Sequence, residues 1–228
     1  MVAKIVEDID RPAENVIESF RKHSAADVHE AMGKVGAMTP EISLRTAGTP
    51  MCGPATTVSL PAGDNMMIHI GARVAQPGDV LVIAADTTRA ATWGELATRN
   101  AMRKRIEGVV SGGNVRDIET ITDLDFPVFS RAISQDGAVK KTPGSVNVPV
   151  SVGDVVVNPG DIVIGDTDGI TVVPHDAAEA TAEAADEHLT KENTIRERIM
   201  DGESLYDIAE FDEQITACGL QSLSDDGE

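Results

Sequence analysis

The feature that most constrains the fold is the stretch 79–117, where an apolar run precedes a helical pattern and a second apolar run. The first run, DVLVIAA at 79–85, has the composition of a strand that is covered on both faces. The stretch 93–117, WGELATRNAMRKRIEGVVSGGNVRD, predicts a helix, a turn, a short buried strand and a glycine-rich loop that ends at Arg116 and Asp117. Together these segments predict one βαβ unit.

The βαβ unit predicts a ligand site at one edge of the sheet. A right-handed crossover places the carboxyl ends of both strands and the amino end of the helix at that edge. We therefore expect Gly94, Glu95 and Leu96 to face Arg116 and Asp117 across a crevice, although about twenty residues separate them in sequence. A helix amino terminus, a guanidinium and a carboxylate together suit a small anionic ligand and a divalent cation.

The rest of the chain predicts an α/β fold with helices near both ends. Helices are expected at 12–34, 66–74, 118–124, 175–200 and 205–211, and strands at 55–60, 126–130, 145–150, 154–157, 161–164 and 169–173. Ser24 and Asp176 are the expected N-caps of two of these helices. Turn signals separate the short strands after residue 145, and we expect them to form an antiparallel half that closes or sandwiches the parallel sheet.

Charge and hydropathy exclude several classes of partner. The 38 acidic residues outnumber 19 basic ones, and a net charge of -19 repels nucleic-acid phosphates, so no nucleic-acid partner is expected. Such an acidic surface is also typical of proteins kept soluble in high salt, which makes a halophilic source a hypothesis. The chain has no apolar run near the roughly 18 residues of a membrane span. Because it also has no signal-peptide core, a cytoplasmic protein without membrane partners is expected.

Several familiar catalytic signatures are absent from the sequence. There is no P-loop, no GxGxxG after a strand, no GxSxG and no HExxH, which disfavours NTP hydrolysis and cofactor-dependent redox chemistry. Cys52 and Cys218 lack metal-ligand spacing, and we expect two buried thiols rather than a zinc site or a disulfide framework.

Each charged residue of the expected crevice also has a purely structural explanation. Asp117 can be the N-cap of a helix that starts at Ile118, with Arg116 as a surface residue, and by spacing alone this explanation ranks first. Glu95 can be one of the acidic residues that are favoured in the first turn of a helix. The combination of the three residues, rather than any single one, indicates a functional site.

The chain resembles the RraA-like family, which includes the class II 4-hydroxy-4-methyl-2-oxoglutarate/4-carboxy-4-hydroxy-2-oxoadipate (HMG/CHA) aldolases. The segments that carry this resemblance are AADVHEAMGKVGAM, GPATTV, PGDVLVI, WGELA, EGVVSGGNVRD, PGSVNVPV and NPGDIVIGDTDGITVVP, and they span roughly 25–202. The most specific signature is an acidic residue, twenty intervening residues and Arg-Asp, here Glu95, 96–115 and Arg116-Asp117. Many members carry Asp at the first position, so Glu95 is a conservative departure.

The resemblance also implies a fold and an assembly. The implied fold is α/β, a single layered α-β-β-α domain of the swivelling β/β/α type with mixed sheets and N- and C-terminal helices. It is expected to cover 1–228, with a C-terminal helical extension at about 176–212 and an acidic tail at 221–228. The expected assembly is a homotrimer or homohexamer with active sites between subunits.

The resemblance implies roles for individual residues. Asp117 is the expected protein ligand of Mg²⁺ or Mn²⁺, and Arg116 is expected to bind the keto oxygen and stabilise the enolate. The N–H groups of Gly94, Glu95, Leu96 and Ala97 are expected to hold the carboxylate of a 2-oxo acid. Glu95 is expected to orient water at the metal or to transfer protons.

Two further residues are assigned by the resemblance alone. Lys140 matches a family lysine that approaches the site. Glu192 matches a glutamate of the C-terminal helix that reaches the metal's waters from a neighbouring subunit. A solvated acid on an acidic helix explains Glu192 nearly as well, and both explanations stay open.

The activity implied by the resemblance is a divalent-metal-dependent aldolase or lyase. It would cleave a 4-hydroxy-2-oxo acid to pyruvate and decarboxylate oxaloacetate, both through a pyruvate enolate and without a Schiff-base lysine. Three alternatives remain: a protein that binds and inhibits a ribonuclease, a methyltransferase, and an aldolase for a sugar-derived 2-keto acid. An intact Glu95, Arg116 and Asp117 argues against the first, and the missing nucleoside-binding loop argues against the second.

Overall fold

The structure is a computed structural model that describes residues 3–46, 49–85 and 89–219. The acidic tail expected at 221–228 lies outside these ranges. The chain divides into two compact units, Met1–Ala185 and Asp186–Glu228. The single domain over 1–228 stays a prediction.

Helices and strands alternate only in the middle of the described residues, because two helices come first, five strands follow one another from residue 145 onward, and helices end the chain's described part. The helices are α1 Glu14–Phe20, α2 Ala25–Ala31, α3 Met66–Val74, α4 Glu95–Arg103, α5 Ile118–Asp123, α6 Ala178–Met200, α7 Leu205–Ile208 and α8 Phe211–Ala217. The strands are β1 Ser43–Leu44, β2 Met51–Leu60, β3 Val80–Ala85, β4 Ala91–Trp93, β5 Gly108–Val115, β6 Val128–Ile133, β7 Ser145–Val146, β8 Val150–Val152, β9 Val155–Val157, β10 Ile162–Gly165 and β11 Ile170–Val173. The predicted α/β class, with helices near both ends, is confirmed.

One mixed sheet forms the centre of the first unit. Its strand order is β1-β6-β5-β3-β2-β10-β11, with β4 paired to β5 and β7 paired to β2. The pairs β2–β3, β3–β5, β5–β6 and β4–β5 are parallel, whereas β1, β7, β10 and β11 are antiparallel to their neighbours. The long β2 joins the two kinds of pairing, because its residues 51–54 pair with β10 and its residues 55–60 pair with β3.

Both faces of the sheet are covered, as the apolar run of β3 predicts. Leu81 and Ile83 belong to a core that also contains buried side chains of α3 and α5. The alternate residues Val80 and Val82 belong to a second core, with buried valines from the antiparallel β8–β9 hairpin. Successive strand residues point to opposite faces, so helices cover one face and a hairpin covers the other. This gives the layered α-β-β arrangement.

The N-terminal segment is tied to the sheet by caps and by a buried ion pair. Ser24 caps α2 as expected, because its Oγ accepts a 3.0 Å hydrogen bond from Asp27 N, and the Asp27 carboxylate accepts one from Ser24 N. Ahead of α1, Arg11 Nε and Nη2 donate to the two carboxylate oxygens of Asp79 at 2.9 and 2.7 Å. The Asp79 side chain is 1% exposed. This bidentate pair therefore attaches the segment before α1 to Asp79, the residue that directly precedes β3.

Three local expectations were wrong. Gly112 and Gly113 lie within β5 rather than in a loop, because parallel pairing to β6 continues on both sides of a register shift between Ser111 and Asn114. The run expected as one strand at 145–150 is divided between β7 and β8. The antiparallel pairing expected after residue 145 is confirmed, and through it β10 and β11 extend the main sheet. Asp176 does not cap α6, because it lies inside a 3-10 turn at His175–Ala177.

The second unit contains the C-terminal part of α6, then α7 and α8. Ser204 caps α7 by accepting a hydrogen bond from Asp207 N at 3.1 Å. Tyr206 and Phe211 are in ring contact with centroids 5.6 Å apart. The thiol of Cys218 is exposed, whereas that of Cys52 is buried, so the expectation of two buried thiols was half wrong. Among the helices in the described ranges, none has the length and apolar content needed to cross a membrane.

Candidate active site

The start of α4 lies against the end of β5 because a short strand precedes α4 and pairs with β5. The sequence did not predict this strand. This strand, β4, pairs in parallel with β5, with Trp93 beside Val115. Arg116 N continues the pairing by donating to Trp93 O at 3.0 Å. Since α4 begins directly after β4, Gly94 and Glu95 lie against Arg116 and Asp117, in the crevice that the βαβ crossover predicts.

The carboxylate of Asp117 is held by the first turn of α4. Its Oδ2 accepts a hydrogen bond from Glu95 N at 3.0 Å and lies 3.5 Å from Arg116 Nε. Asp117 occupies the N-cap position of α5, but its side chain makes no capping bond there. The N-cap position that spacing predicts for Asp117 is therefore confirmed, but its carboxylate bonds to the start of α4, across the crevice, and not to α5.

The backbone of Asp117 is in the left-handed region, with a φ of 60°. Asp and Asn are among the few residues other than glycine that adopt this conformation readily. Here it turns the chain between β5 and α5 so that the side chain points back to α4. Backbone strain of this kind is concentrated at functional sites.

Gly94 is required by close packing rather than by its backbone angles. Its φ of -169° is extended and open to any residue. A Cβ at this position would lie 2.6 Å from Asp117 Oδ2 and 3.1 Å from Arg116 Cγ. The absence of a side chain is what allows the Arg-Asp pair to reach the helix start.

The crevice is a cavity of about 140 Å³. Its wall includes the predicted residues Gly94, Leu96, Ala97, Arg116, Asp117 and Lys140, together with Asn65, His69, Ala91, Trp93, Gly137 and Ala138. A wider groove of about 440 Å³, lined by Arg116, Asp117, Ile133, Ser134 and Gln135, adjoins the same pair. The Arg-Asp pair therefore contributes to both cavities.

Two N–H groups of α4 remain available at the cavity wall. The first intrahelical bond runs from Thr98 N to Gly94 O at 3.1 Å, so the N–H groups of Leu96 and Ala97 precede the helical ladder. The N–H of Glu95 is already bonded to Asp117. Of the N–H groups predicted to hold a carboxylate, that of Glu95 is thus engaged, whereas those of Leu96 and Ala97 have no hydrogen-bond partner among the described residues.

Sequence reasoning missed the contribution of α3. His69 and Asn65 line the cavity from this helix, one turn apart. The pKa of His69 is lowered from its ordinary value, because partial burial disfavours the charged imidazole and the positive charge of Lys140 adds to that effect. The available signal was an asparagine at the N-cap of α3 and a histidine one turn later.

Glu95 and Glu192 are placed less directly. The Glu95 carboxylate forms an i,i+4 ion pair with Arg99 at 2.7 Å and is not part of the cavity wall. Glu192 lies on the part of α6 in the second unit, where it pairs with Arg196 and lies 3.4 Å from His188 Nε2. The catalytic roles of both glutamates stay predictions.

The donor set at the cavity fits a hard divalent cation. Among the described residues, Asp117 is the one acidic residue in the cavity wall, and 38% of its side chain is exposed. Within 3–46, 49–85 and 89–219, no hydrogen bond to its Oδ1 is found, so one carboxylate oxygen remains for a ligand. Mg²⁺ typically binds to one or two carboxylates and retains several waters. Asp117 is the residue that would hold it.

Comparison with known proteins gives consistent matches. Residues 25–172 match the family described as RraA-like, Aldolase/RraA. A relative from Halalkalibacterium halodurans, named "Putative 4-hydroxy-4-methyl-2-oxoglutarate aldolase", is 36% identical over 160 residues, which cover 69% of this chain and 76% of the relative.

Solved structures share the fold. The crystal structure of an uncharacterized protein from Pseudomonas syringae pv. tomato has a TM-score of 0.80 at 26% identity, covering 88% of this chain and 95% of that one. The structure of RraAS2 from Streptomyces coelicolor has a TM-score of 0.75 at 27% identity, covering 83% of this chain and 99% of that one. RraAS2 is described as an unusual member of the RNase ES inhibitor RraA protein family.

Proposed function

This chain belongs to the RraA-like family, and from that premise we propose that it is a divalent-metal-dependent aldolase that releases pyruvate from a 4-hydroxy-2-oxo acid of the HMG/CHA kind. The same chemistry would decarboxylate oxaloacetate, since both reactions leave a pyruvate enolate. A sugar-derived 2-keto acid is the alternative substrate class. A relative named as an aldolase supports the lyase class.

The observation that carries the proposal is the convergence of three groups on one cavity wall. Asp117 offers a carboxylate oxygen and the first turn of α4 offers N–H groups that are not bonded to any residue the structure describes, and Arg116 offers a guanidinium. A 2-oxo acid presents a carboxylate and a neighbouring keto oxygen, and these two groups match the N–H donors and the guanidinium. A pure binding surface has no need for this combination.

The residues of the chain divide the reaction between them. The N–H groups of Leu96 and Ala97 would bind the substrate carboxylate. Arg116 would donate to the keto oxygen, where negative charge grows as the C3–C4 bond breaks and its electrons pass to C3. The C4 hydroxyl loses its proton and becomes a carbonyl, and C3 of the enolate then takes a proton to give pyruvate. We propose Glu95 for one of these proton transfers, acting through water.

A divalent cation held by Asp117 would supply further stabilisation of the enolate oxygen. Lys140 brings a positive charge to the wall of the same cavity, beside His69, whose lowered pKa favours the neutral imidazole. That charge favours substrates with a second carboxylate, as oxaloacetate and the HMG/CHA compounds have. The Lys140 charge therefore supports a dicarboxylate as the proposed substrate.

The proposed function is tested by a lactate-dehydrogenase-coupled pyruvate assay. The panel contains oxaloacetate, HMG, CHA and sugar-derived 2-keto acids, each with Mg²⁺, with Mn²⁺ and with EDTA. We expect pyruvate from at least one dicarboxylate, loss of activity with EDTA, and loss of activity in Asp117→Ala. Asp123→Ala, which changes an exposed aspartate at the end of α5, is the matched control. Undiminished turnover in Asp117→Ala would overturn the metal assignment.

A regulatory role is the second candidate, favoured by the likeness to a structure described as belonging to a ribonuclease-inhibitor family. In that case the protein would bind a ribonuclease, and no 2-oxo acid in the panel would yield pyruvate. Co-purification of a tight ribonuclease partner together with an inactive panel would reverse the order of the two candidates.

The assembly is also a proposal. Leu96, Ile133 and Val139, at or beside the two cavities, are 80%, 57% and 52% exposed. A homotrimer or homohexamer in which a neighbouring chain covers this surface, and in which Glu192 approaches that neighbour's site, is consistent with such exposure. Multi-angle light scattering of the full chain tests it, with a monomer as the contrary outcome.

A further inference from the structure

A segment far from the Arg-Asp pair in sequence forms one side of the cavity. Residues 134–142, here called the cavity segment, contribute Gly137, Ala138 and Lys140 to its wall. The segment passes close over Arg116, since a Cβ added to Gly137 would lie 3.2 Å from Arg116 Nη1. Its position therefore decides where the Lys140 ammonium lies relative to the rest of the site.

The beginning of the cavity segment is fixed by strand-like bonds. Ser134 N donates to Val115 O at 2.9 Å, and Ala91 N donates to Asp136 O at 2.7 Å. These bonds attach the segment to β5 and to the start of β4. They leave the part around Lys140 to be held from the other side.

The end of the cavity segment is fixed by one buried carboxylate. Asp64 Oδ2 accepts hydrogen bonds from Lys141 N at 2.7 Å and from Thr142 N at 2.8 Å. Its Oδ1 accepts one from Met66 N at 2.7 Å, in the first turn of α3. Asp64 is 1% exposed. A single side chain thus joins the segment that carries Lys140 to the helix that carries His69.

The backbone reinforces this junction. Val139 N donates to Gly63 O at 3.0 Å, and Asn65 N donates to Val139 O at 2.9 Å, which makes a short parallel bridge around Asp64. The junction therefore fixes the residue directly before Lys140 as well as the two residues after it.

The junction requires a charged acceptor. Burial opposes ionisation of Asp64, but the hydrogen bonds from three backbone N–H groups and from the Thr142 hydroxyl outweigh it, and the pKa of this carboxyl is lower than its ordinary value. An asparagine has one acceptor oxygen and an NH₂ group. It would direct that NH₂ group either at Met66 N or at the N–H pair of Lys141 and Thr142.

We propose that Asp64 is a positioning residue of the active site, which holds the cavity segment against α3 and thereby sets the position of Lys140 in the cavity. Only the expected effect of Asp64 on catalysis rests on the proposed function. The ordering of the segment and the location of the Lys140 charge are properties of the protein without substrate.

The first test measures the free protein. We compare wild type with Asp64→Asn and with Asp161→Asn, because Asp161 is likewise buried and accepts from two backbone N–H groups, Asn158 at 2.7 Å and His175 at 3.0 Å, away from the cavity. Amide hydrogen exchange at 139–142 is expected to accelerate by about tenfold or more in Asp64→Asn, as loss of a charged hydrogen bond implies. It is expected to stay unchanged in Asp161→Asn.

The second test reports where the Lys140 charge lies. The pKa of His69 is measured by NMR and is expected to rise in Lys140→Met, because that variant removes the ammonium. In Asp64→Asn we expect a rise of similar size, because the ammonium moves away from His69. Thr142→Pro removes the N–H and the hydroxyl that Thr142 donates to Asp64 without changing the carboxylate or the bonds from Lys141 and Met66, and an intermediate effect is expected. It also replaces Asp64→Asn if that variant fails to fold. Unchanged exchange and an unchanged His69 pKa in the folded variants would overturn the proposal.

The third test is kinetic. With a dicarboxylate substrate, Asp64→Asn and Lys140→Met are each expected to raise KM by about tenfold, the scale of one charged hydrogen bond. The double variant is expected to be no worse than Lys140→Met, because Asp64 acts through that lysine. Independent, multiplying effects would overturn the positioning role. If the wild type releases no pyruvate, the proposed function fails, and the first two tests still decide the role of Asp64.

Discussion

The backbone N–H of Glu95 donates a 3.0 Å hydrogen bond to Oδ2 of Asp117, 22 positions further along the chain. This bond explains the fixed gap between the acidic residue and the Arg-Asp pair. Helix α4 and strand β5 together return the chain to the point where α4 started, and Asp117 caps that start. The spacing in the sequence is therefore the number of residues needed to form α4, the turn after it and β5.

Asp117→Asn is expected to show whether activity depends on the charge of Asp117 or only on its hydrogen bond to Glu95 N. Asparagine tolerates the left-handed backbone and can still accept from Glu95 N, so Tm should change little. Because the carboxylate charge is lost, pyruvate release should fall by about 100-fold or more.

Asp117→Ala provides the comparison, since it also removes the cap. The loss of a cap costs about 1 kcal/mol, which lowers Tm by roughly 2–4 °C in a chain of this size. Differential scanning calorimetry and the pyruvate assay check the pair of variants. Equal activity of wild type and Asp117→Asn would contradict a role for the charge.

Gly94→Ala is expected to damage the site even though its backbone angles suit alanine. The new Cβ would lie 2.6 Å from Asp117 Oδ2, so the Glu95–Asp117 bond must lengthen or break. We expect at least about a tenfold fall in kcat/KM and a Tm lowered by a few degrees. Gly112→Ala is the matched control, because a Cβ there meets its nearest atom at 3.5 Å. Similar behaviour of the two variants would show that the close contact at Gly94 is unimportant.

The pKa of His69 is expected to lie below 6.5 and to rise in Lys140→Met, because partial burial and the Lys140 charge both lower it and the variant removes the second cause. A lowered pKa means that the folded protein binds fewer protons than the unfolded chain. The stability contributed by the neutral imidazole is therefore fully present above pH 6.5 and is lost as the pH falls through the folded value.

The measurement for His69 is a proton NMR titration of the five histidines, with His69→Gln to assign the signal. Lys141→Met is the control, since the side-chain charge of that neighbour is not among the causes of the shift. A dicarboxylate ligand should raise the pKa of His69 and should bind more tightly as the pH falls. An invariant signal in Lys140→Met would show that the ammonium lies elsewhere.

Arg11→Met is expected to destabilise the fold strongly although Arg11 lies outside the site. It leaves the buried Asp79 carboxylate without its bidentate partner, which costs about 3 kcal/mol and lowers Tm by roughly 6–12 °C. Arg73→Met removes an exposed pair with Glu7, whose side chains are 64% and 66% exposed, and should change stability little. Urea denaturation of both variants decides. Comparable losses would mean that burial of the Arg11 pair is unimportant.

The sequence by itself determined the layers and the location of the site. The apolar run of β3 requires cover on both faces, and the helical pattern after it requires a crossover. Because a crossover brings the carboxyl ends of both strands and the helix start to one edge, the sequence places Gly94 and Glu95 at the same edge as Arg116 and Asp117. These conclusions depend on local periodicity and on a general rule of connection, and both are readable from neighbouring residues.

Only the tertiary structure decided how the site is completed. The cap that Asp117 forms on α4, the strand β4, and the contribution of Asn65 and His69 all depend on packing between distant segments. The clearest case is Asp64, which bonds to the N–H of Lys141 at a separation of 77 residues. Local pattern does not encode such a contact, because the free energy of burying a carboxylate depends on which donors the finished fold brings to it.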